Sequence, residues 1–107
     1  MAETLKVLWQ ANPPANISTD LYAAPSQATI SSIVICNQSA TDATFRLSVA
    51  VAAASDDPKQ YLYYNTWLPA NDTFIATIGI TLGAADVIRI YVTSASISVN
   101  VFGVEIS

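Results

Sequence analysis

The side chains in this sequence best suited to reaction chemistry are eight carboxylates and one thiol. The acids are Glu3, Asp20, Asp42, Asp56, Asp57, Asp72, Asp86 and Glu105; the thiol is Cys36. Glycoside hydrolysis needs only two carboxyl groups across a sugar bond, so a small hydrolase is not excluded by residue type. Position argues against it. Most of the acids fall among Pro, Asn and Ser, where Asp accepts from backbone N–H groups at turns, and 107 residues leave little room for a substrate cleft. The chain has no His, which removes His-based general acid–base chemistry, Ser-His-Asp arrangements and His-containing zinc sites. Cys36 ends an apolar run with no His to activate it, so an inert buried thiol is expected. A single Cys also rules out an intrachain disulfide. Asp56-Asp57 could join a calcium site only without the spacing of an EF-hand, and no Gly-rich phosphate loop is present. The residues thus point to no catalytic group, no cofactor and no metal.

Composition narrows the partners. Charged residues make up 11% of the chain, against about 25% in an average soluble domain. Hydrophobic residues make up 52%, enough to fold one small domain and too few in total for two cores. Only Lys6, Arg46, Lys59 and Arg89 are basic and the net charge is −4, so nucleic acid is not an expected partner. Leu21–Thr41 is uncharged but carries Pro, Gln, Ser and Asn, too polar for a membrane span. Met1–Gln10 lacks the basic and apolar regions of a secretory signal, so synthesis in a reducing cytoplasm is expected. In that compartment the three N-x-S/T sequences at Asn16, Asn37 and Asn71 read as turn residues.

The elements follow from a period of two. Leu5, Val7 and Trp9 alternate with Lys6, Leu8 and Gln10, and Phe45, Leu47, Val49 and Val51 with Thr44, Arg46, Ser48 and Ala50. Ile88, Ile90 and Val92 alternate with Arg89, Tyr91 and Thr93 in the same way. Such alternation sends one set to a core and the other outward. Turn clusters rich in Pro, Asn, Asp and Ser recur every 8–12 residues or so, predicting about eight short strands in a single-domain, all-β antiparallel sandwich of jelly-roll type. Ala52–Ala54 alone tolerates a helix and is too short to nucleate one. In the last strand Ile97, Val99 and Val101 share one parity and Phe102, Val104 and Ile106 the other, which predicts a bulge near Val101-Phe102 eased by Gly103.

The outward faces are unusual. They carry Ser, Thr, Ala, Asn and Tyr where a small monomer would carry charge. Ile33-Val34-Ile35 and Phe74–Ile80 are apolar on both parities, as in strands covered on both sides. A second copy of the chain would supply that cover; loops folding over the strands are the other reading. Tyr61, Tyr63, Tyr64 and Trp67 form an aromatic cluster on one strand, suited to a protein interface, to sugar stacking, or to the core on one side. With Trp9 they are the candidate interface residues. Met1–Pro14 is either a docking arm separable from a sandwich over residues 15–107, or the first strand of that sandwich.

The stretches LYAAP (Leu21–Pro25), ATISSIVICNQSATDATFRL (Ala28–Leu47), LPANDT (Leu68–Thr73), GITLGAADVIRIYVTSASISVNVFG (Gly79–Gly103) and the closing VEI (Val104–Ile106) together resemble small β-rich structural proteins of tailed-bacteriophage virions. The resemblance is strongest to capsid decoration, or cement, proteins. It implies a non-enzymatic homo-oligomer, often a trimer in that group, made in the host cytoplasm and bound to the major capsid protein on the outside of the head. Tail and head–tail proteins, and receptor- or glycan-binding tail modules, share the pattern.

Overall fold

The alternating runs form two antiparallel sheets packed face to face. A computed structural model of the chain describes residues 2–106. Nine strands are present among them: β1 (Glu3–Ala11), β2 (Thr19–Ala23), β3 (Gln27–Asn37), β4 (Ala43–Ala50), β5 (Tyr61–Leu68), β6 (Thr73–Ala76), β7 (Ile80–Leu82), β8 (Val87–Val92) and β9 (Ile97–Ile106). One sheet has the order β1-β9-β3-β6, with β7 also pairing β3; the other has the order β2-β8-β4-β5. The chain crosses from sheet to sheet between β1, β2, β3 and β4, and β8 and β9 return between the earlier strands. That is the order of a jelly roll.

The ninth strand comes from the Phe74–Ile80 run, expected to be one strand covered on both sides. It divides instead. β6 pairs with Ile33–Cys36 and β7 with Ala28–Ile30; Ile75 within β6 and Ile78 between the two strands are exposed. Val51–Ala53 forms a single 3-10 turn in which Ala52 takes a left-handed conformation, φ 54°.

Inner faces meet in one core. Phe45, Leu47, Ile88, Ile90 and Val92 come from the four-stranded sheet, and Ile30, Ile33, Ile35, Ile97, Val99 and Val101 from the five-stranded sheet. Phe45, Phe74 and Tyr63 pack with ring centroids 5.0–6.0 Å apart, tilted or edge-on, the arrangement their ring quadrupoles favour.

Bulges decide which parity faces in. β9 keeps one phase, with Ile97, Val99, Val101 and Gly103 all buried, so the bulge expected at Val101-Phe102 is absent there. Its two neighbours bulge instead. On β3, Ile30 pairs with Gly103 and Ser32 with Phe102, leaving Ser31 as the extra residue. On β1, Val7 pairs with Phe102 and Trp9 with Val101, leaving Leu8 extra. Gly103 lies between them. A Cβ there would sit on the Thr29 carbonyl oxygen and within about 3 Å of Ile30 Cα and Leu8 Cδ1, so the close approach of three strands requires glycine.

Two expectations fail for this reason. The Leu5, Val7 and Trp9 set does not form the core face of β1: all three are exposed and Leu8 is buried. After Ser31 the inward set of β3 becomes Ile33, Ile35 and Asn37, so Cys36 is half-buried on the outer face, level with Ser98 and Thr73. Asn37, fully buried, takes the core position instead. Its amide donates to the Thr41, Leu68 and Pro69 carbonyls, and its Oδ1 accepts from the Ser39 backbone and hydroxyl.

Candidate functional site

With both inner faces used by the core, what the molecule offers to others is its two outer faces and the seam between sheets. The aromatic cluster lies on β5, the edge of the four-stranded sheet. Two irregularities interrupt its pairing with β4, one between Phe45 and Leu47 and one between Leu47 and Ser48, and Asn65 adopts φ 50°, a conformation Asn tolerates better than most residues. The extra residues turn strict alternation into a spacing of three. Tyr61, Tyr64 and Trp67 come to share the outer side, with Tyr64 57% and Trp67 64% exposed. Tyr63 points the other way, opposite Leu47 and against Phe45 and Phe74. Of the five candidate residues, it is the one packed against the core.

Two residues outside the candidate set complete this face. The Arg46 guanidinium lies between the rings of Tyr64 and Tyr91, 4.3 and 4.5 Å from their centroids, and its Nε donates to Asn65 Oδ1 at 2.7 Å. Outward parity placed Arg46 and Tyr91 on this side. Their stacking with Tyr64 depends on the bulge at Asn65, which carries no periodic signal. Further along, Arg89 donates to Asp20, Asp56 and the carbonyls of Ala53 and Ala54. The Asp20 contact is the chief reason its guanidinium holds its proton more firmly than usual.

The outer face of the five-stranded sheet is different in kind. Register places Leu5 beside Val104, Val7 beside Phe102, and Asn100 beside Val34, which pairs in turn with Ile75. Leu5 is 80% exposed and Ile75 58%. Glu3, at one corner, is the only charged residue at an outward position in these strands among the described residues. Thr29, Ser32, Ser98 and Asn100 share the face, and among the described residues Leu5, Val7 and Ile75 on it are left exposed.

Trp9 belongs to neither cluster. β1 borders β2 across the open seam of the sandwich, whereas β5 is the far edge of the other sheet. In the seam Glu105 accepts from Lys6 Nζ at 2.7 Å through one oxygen and from the Tyr22 hydroxyl at 2.5 Å through the other. Lys6 and then Tyr22 hold the Glu105 carboxyl below its ordinary pKa. Burial, reinforced by Glu105, raises that of the Tyr22 hydroxyl.

The remaining acids hold backbone. Asp86 accepts from the Ala52 and Gly83 amides, which keep its pKa low. Asp57 caps the 3-10 turn Pro58–Gln60, while Asp42 and Asp72 bind the Ala70 and Thr73 amides. Among the described residues no three His, Cys, Asp or Glu side chains gather as metal ligands. No helix is long and apolar enough to cross a membrane. In comparisons with known proteins, no protein-family model matches the chain and no curated protein matches its sequence.

Proposed function

We propose that this protein is a non-enzymatic structural protein that works by assembly, and that the assembly is the decorated head of a tailed bacteriophage. The observation that carries the reading is the outer face of the five-stranded sheet: Leu5, Val7, Val34, Ile75, Phe102 and Val104 stand among uncharged Ser, Thr, Asn and Gln, almost without charge, and among the described residues Leu5, Val7 and Ile75 are left exposed. Self-association through that face removes apolar surface from water without stranding a charge, the composition expected of an obligate contact. The aromatic face, with Tyr64 and Trp67 uppermost, has the residue types that dominate binding hot spots and is the side assigned to the major capsid protein. The resemblance of Ala28–Leu47 and Gly79–Gly103 to virion structural proteins supplies the setting.

The mechanism is mass action. A protein that binds the mature shell and not its precursor lowers the free energy of the mature state by an amount set by affinity and occupancy at each site. Repeated over many sites, this opposes the pressure of packaged DNA without any chemical step. The test is the copy number of the protein in purified particles of the phage that encodes it, by quantitative mass spectrometry against the major capsid protein. A copy number in simple ratio to the capsid protein is expected. A handful of copies per particle would move the protein to the neck or tail, and absence would overturn the virion reading.

A further inference from the structure

We propose that the seam between β1 and β2 is a binding site for a neutral glycan chain, with the Trp9 indole as its stacking platform. The seam is a groove of about 440 Å³ whose lining includes Lys6, Trp9, Asp20, Tyr22 and Glu105. The Leu8 bulge builds it. By taking the core position itself, Leu8 leaves the neighbouring indole 53% exposed at the sheet edge, beside the groove rather than in the sandwich.

A pyranose ring has an apolar C–H face and a rim of hydroxyls that both donate and accept. The groove matches both parts. The indole offers a flat apolar plate. At its side stand Lys6, with two N–H donors beyond the one given to Glu105, and Glu105, whose ionised carboxylate keeps lone pairs beyond those used by Lys6 and Tyr22. Asp20 gives one oxygen to Arg89 and leaves the other outward. These groups are already oriented by one another, so a ligand need not order them. With Lys6 on Glu105 and Arg89 on Asp20, each cation at the groove is already paired with a carboxylate, so no free cation is left to draw an anionic sugar, which favours the neutral class. The comparable depression by Tyr61 and Tyr64 is less suited: its lining has no cationic donor, and Asp57 there caps the neighbouring turn.

The experiment is isothermal titration of the purified full chain with maltohexaose, cellohexaose and mannohexaose, and with a hyaluronan hexasaccharide as the anionic comparator. At least one neutral sugar is expected to bind in about the millimolar range or tighter, with the hyaluronan fragment weaker. Trp9→Ala should weaken binding by about tenfold or more, equivalent to 1.4 kcal/mol, and Trp9→Tyr should restore most of it. Glu105→Gln should weaken it less, while Trp67→Ala should leave it unchanged. Circular dichroism on each variant separates loss of binding from loss of fold. No heat with any neutral sugar, or binding lost with Trp67→Ala but kept with Trp9→Ala, overturns the proposal. So does stronger binding of the hyaluronan fragment. None of these outcomes bears on copy number in particles, so the glycan site and the decoration reading stand or fall separately.

Discussion

The two outer faces of the sandwich share one fold and have opposite character. On the four-stranded sheet every arginine is engaged: Arg46 between two tyrosines and on Asn65, Arg89 on two aspartates and two carbonyls. That face is large and aromatic, yet its polar groups already have partners within the chain. The outer face of the five-stranded sheet carries apolar side chains interspersed with uncharged polar ones such as Thr29, Ser32 and Asn100, and among the described residues its Leu5, Val7 and Ile75 are left exposed. Exposed aromatic residues are therefore the weaker sign of an incomplete surface here. The stronger one is aliphatic side chains standing in adjacent registers with no charge among them.

The comparison breaks first on assembly. If the proposed self-association runs through the outer face of the five-stranded sheet, Leu5→Glu with Ile75→Glu, which places two charges at exposed apolar positions there, should leave single chains by light scattering, with the fold kept. Tyr64→Ala and Trp67→Ala should leave self-association intact. If the tyrosine and tryptophan variants dissociate and the glutamate pair does not, the two faces exchange roles. Next in size is Gly103→Ala, whose methyl has no space among three strands. It should lower unfolding free energy by about 3 kcal/mol, read from the urea midpoint. Arg46→Ala should cost about 1 kcal/mol through loss of two cation–π contacts near the surface, and Arg46→Lys should recover little, since a planar cation is what fits between the rings.

The smallest effect lies at the seam. The Glu105 carboxyl has a lower pKa folded than unfolded, so its contribution is fully present above its ordinary value of 4.5 and is lost as pH falls through the folded value. Thermal melts should show stability declining below about pH 4.5, with Glu105→Gln making that decline shallower. Asp86, lowered by the Ala52 and Gly83 amides, titrates in the same direction, so the slope should lessen rather than vanish.

Periodicity made β8, most of β9 and the first half of β4 legible, because there the apolar parity is the buried one; past Leu47 the phase of β4 slips, so that Ser48 and Ala50 are buried and Val51, expected in the core, is exposed. The turn at Asp57-Pro58 was legible too, since a capping aspartate before proline has one local use. Alternation misled wherever a bulge added a residue. Leu8 reversed the reading of β1, Ser31 moved Cys36 outward, and the bulges of β5 sorted four aromatic residues into three out and one in. A bulge results from pairing between strands distant in sequence, and a single strand read alone contains no mark of it. Gly103 was expected to ease a bulge in its own strand; the bulges lie instead in its neighbours at Leu8 and Ser31, and the glycine is needed for their close approach. The seam groove was invisible for a related reason: Lys6, Tyr22 and Glu105 meet only once β1, β2 and β9 are all in place.

β1 has its ladder partner in β9, the last strand of the nine. A ribosome adding roughly 5–20 residues per second makes the first strand several seconds before the last. Throughout that interval Leu5, Val7 and Trp9 have no edge to join. The first of the nine strands thus waits for its ladder partner until the ninth is made, and while it waits its free backbone and apolar side chains are open to any exposed strand it meets, including the same segment of a chain emerging from a neighbouring ribosome.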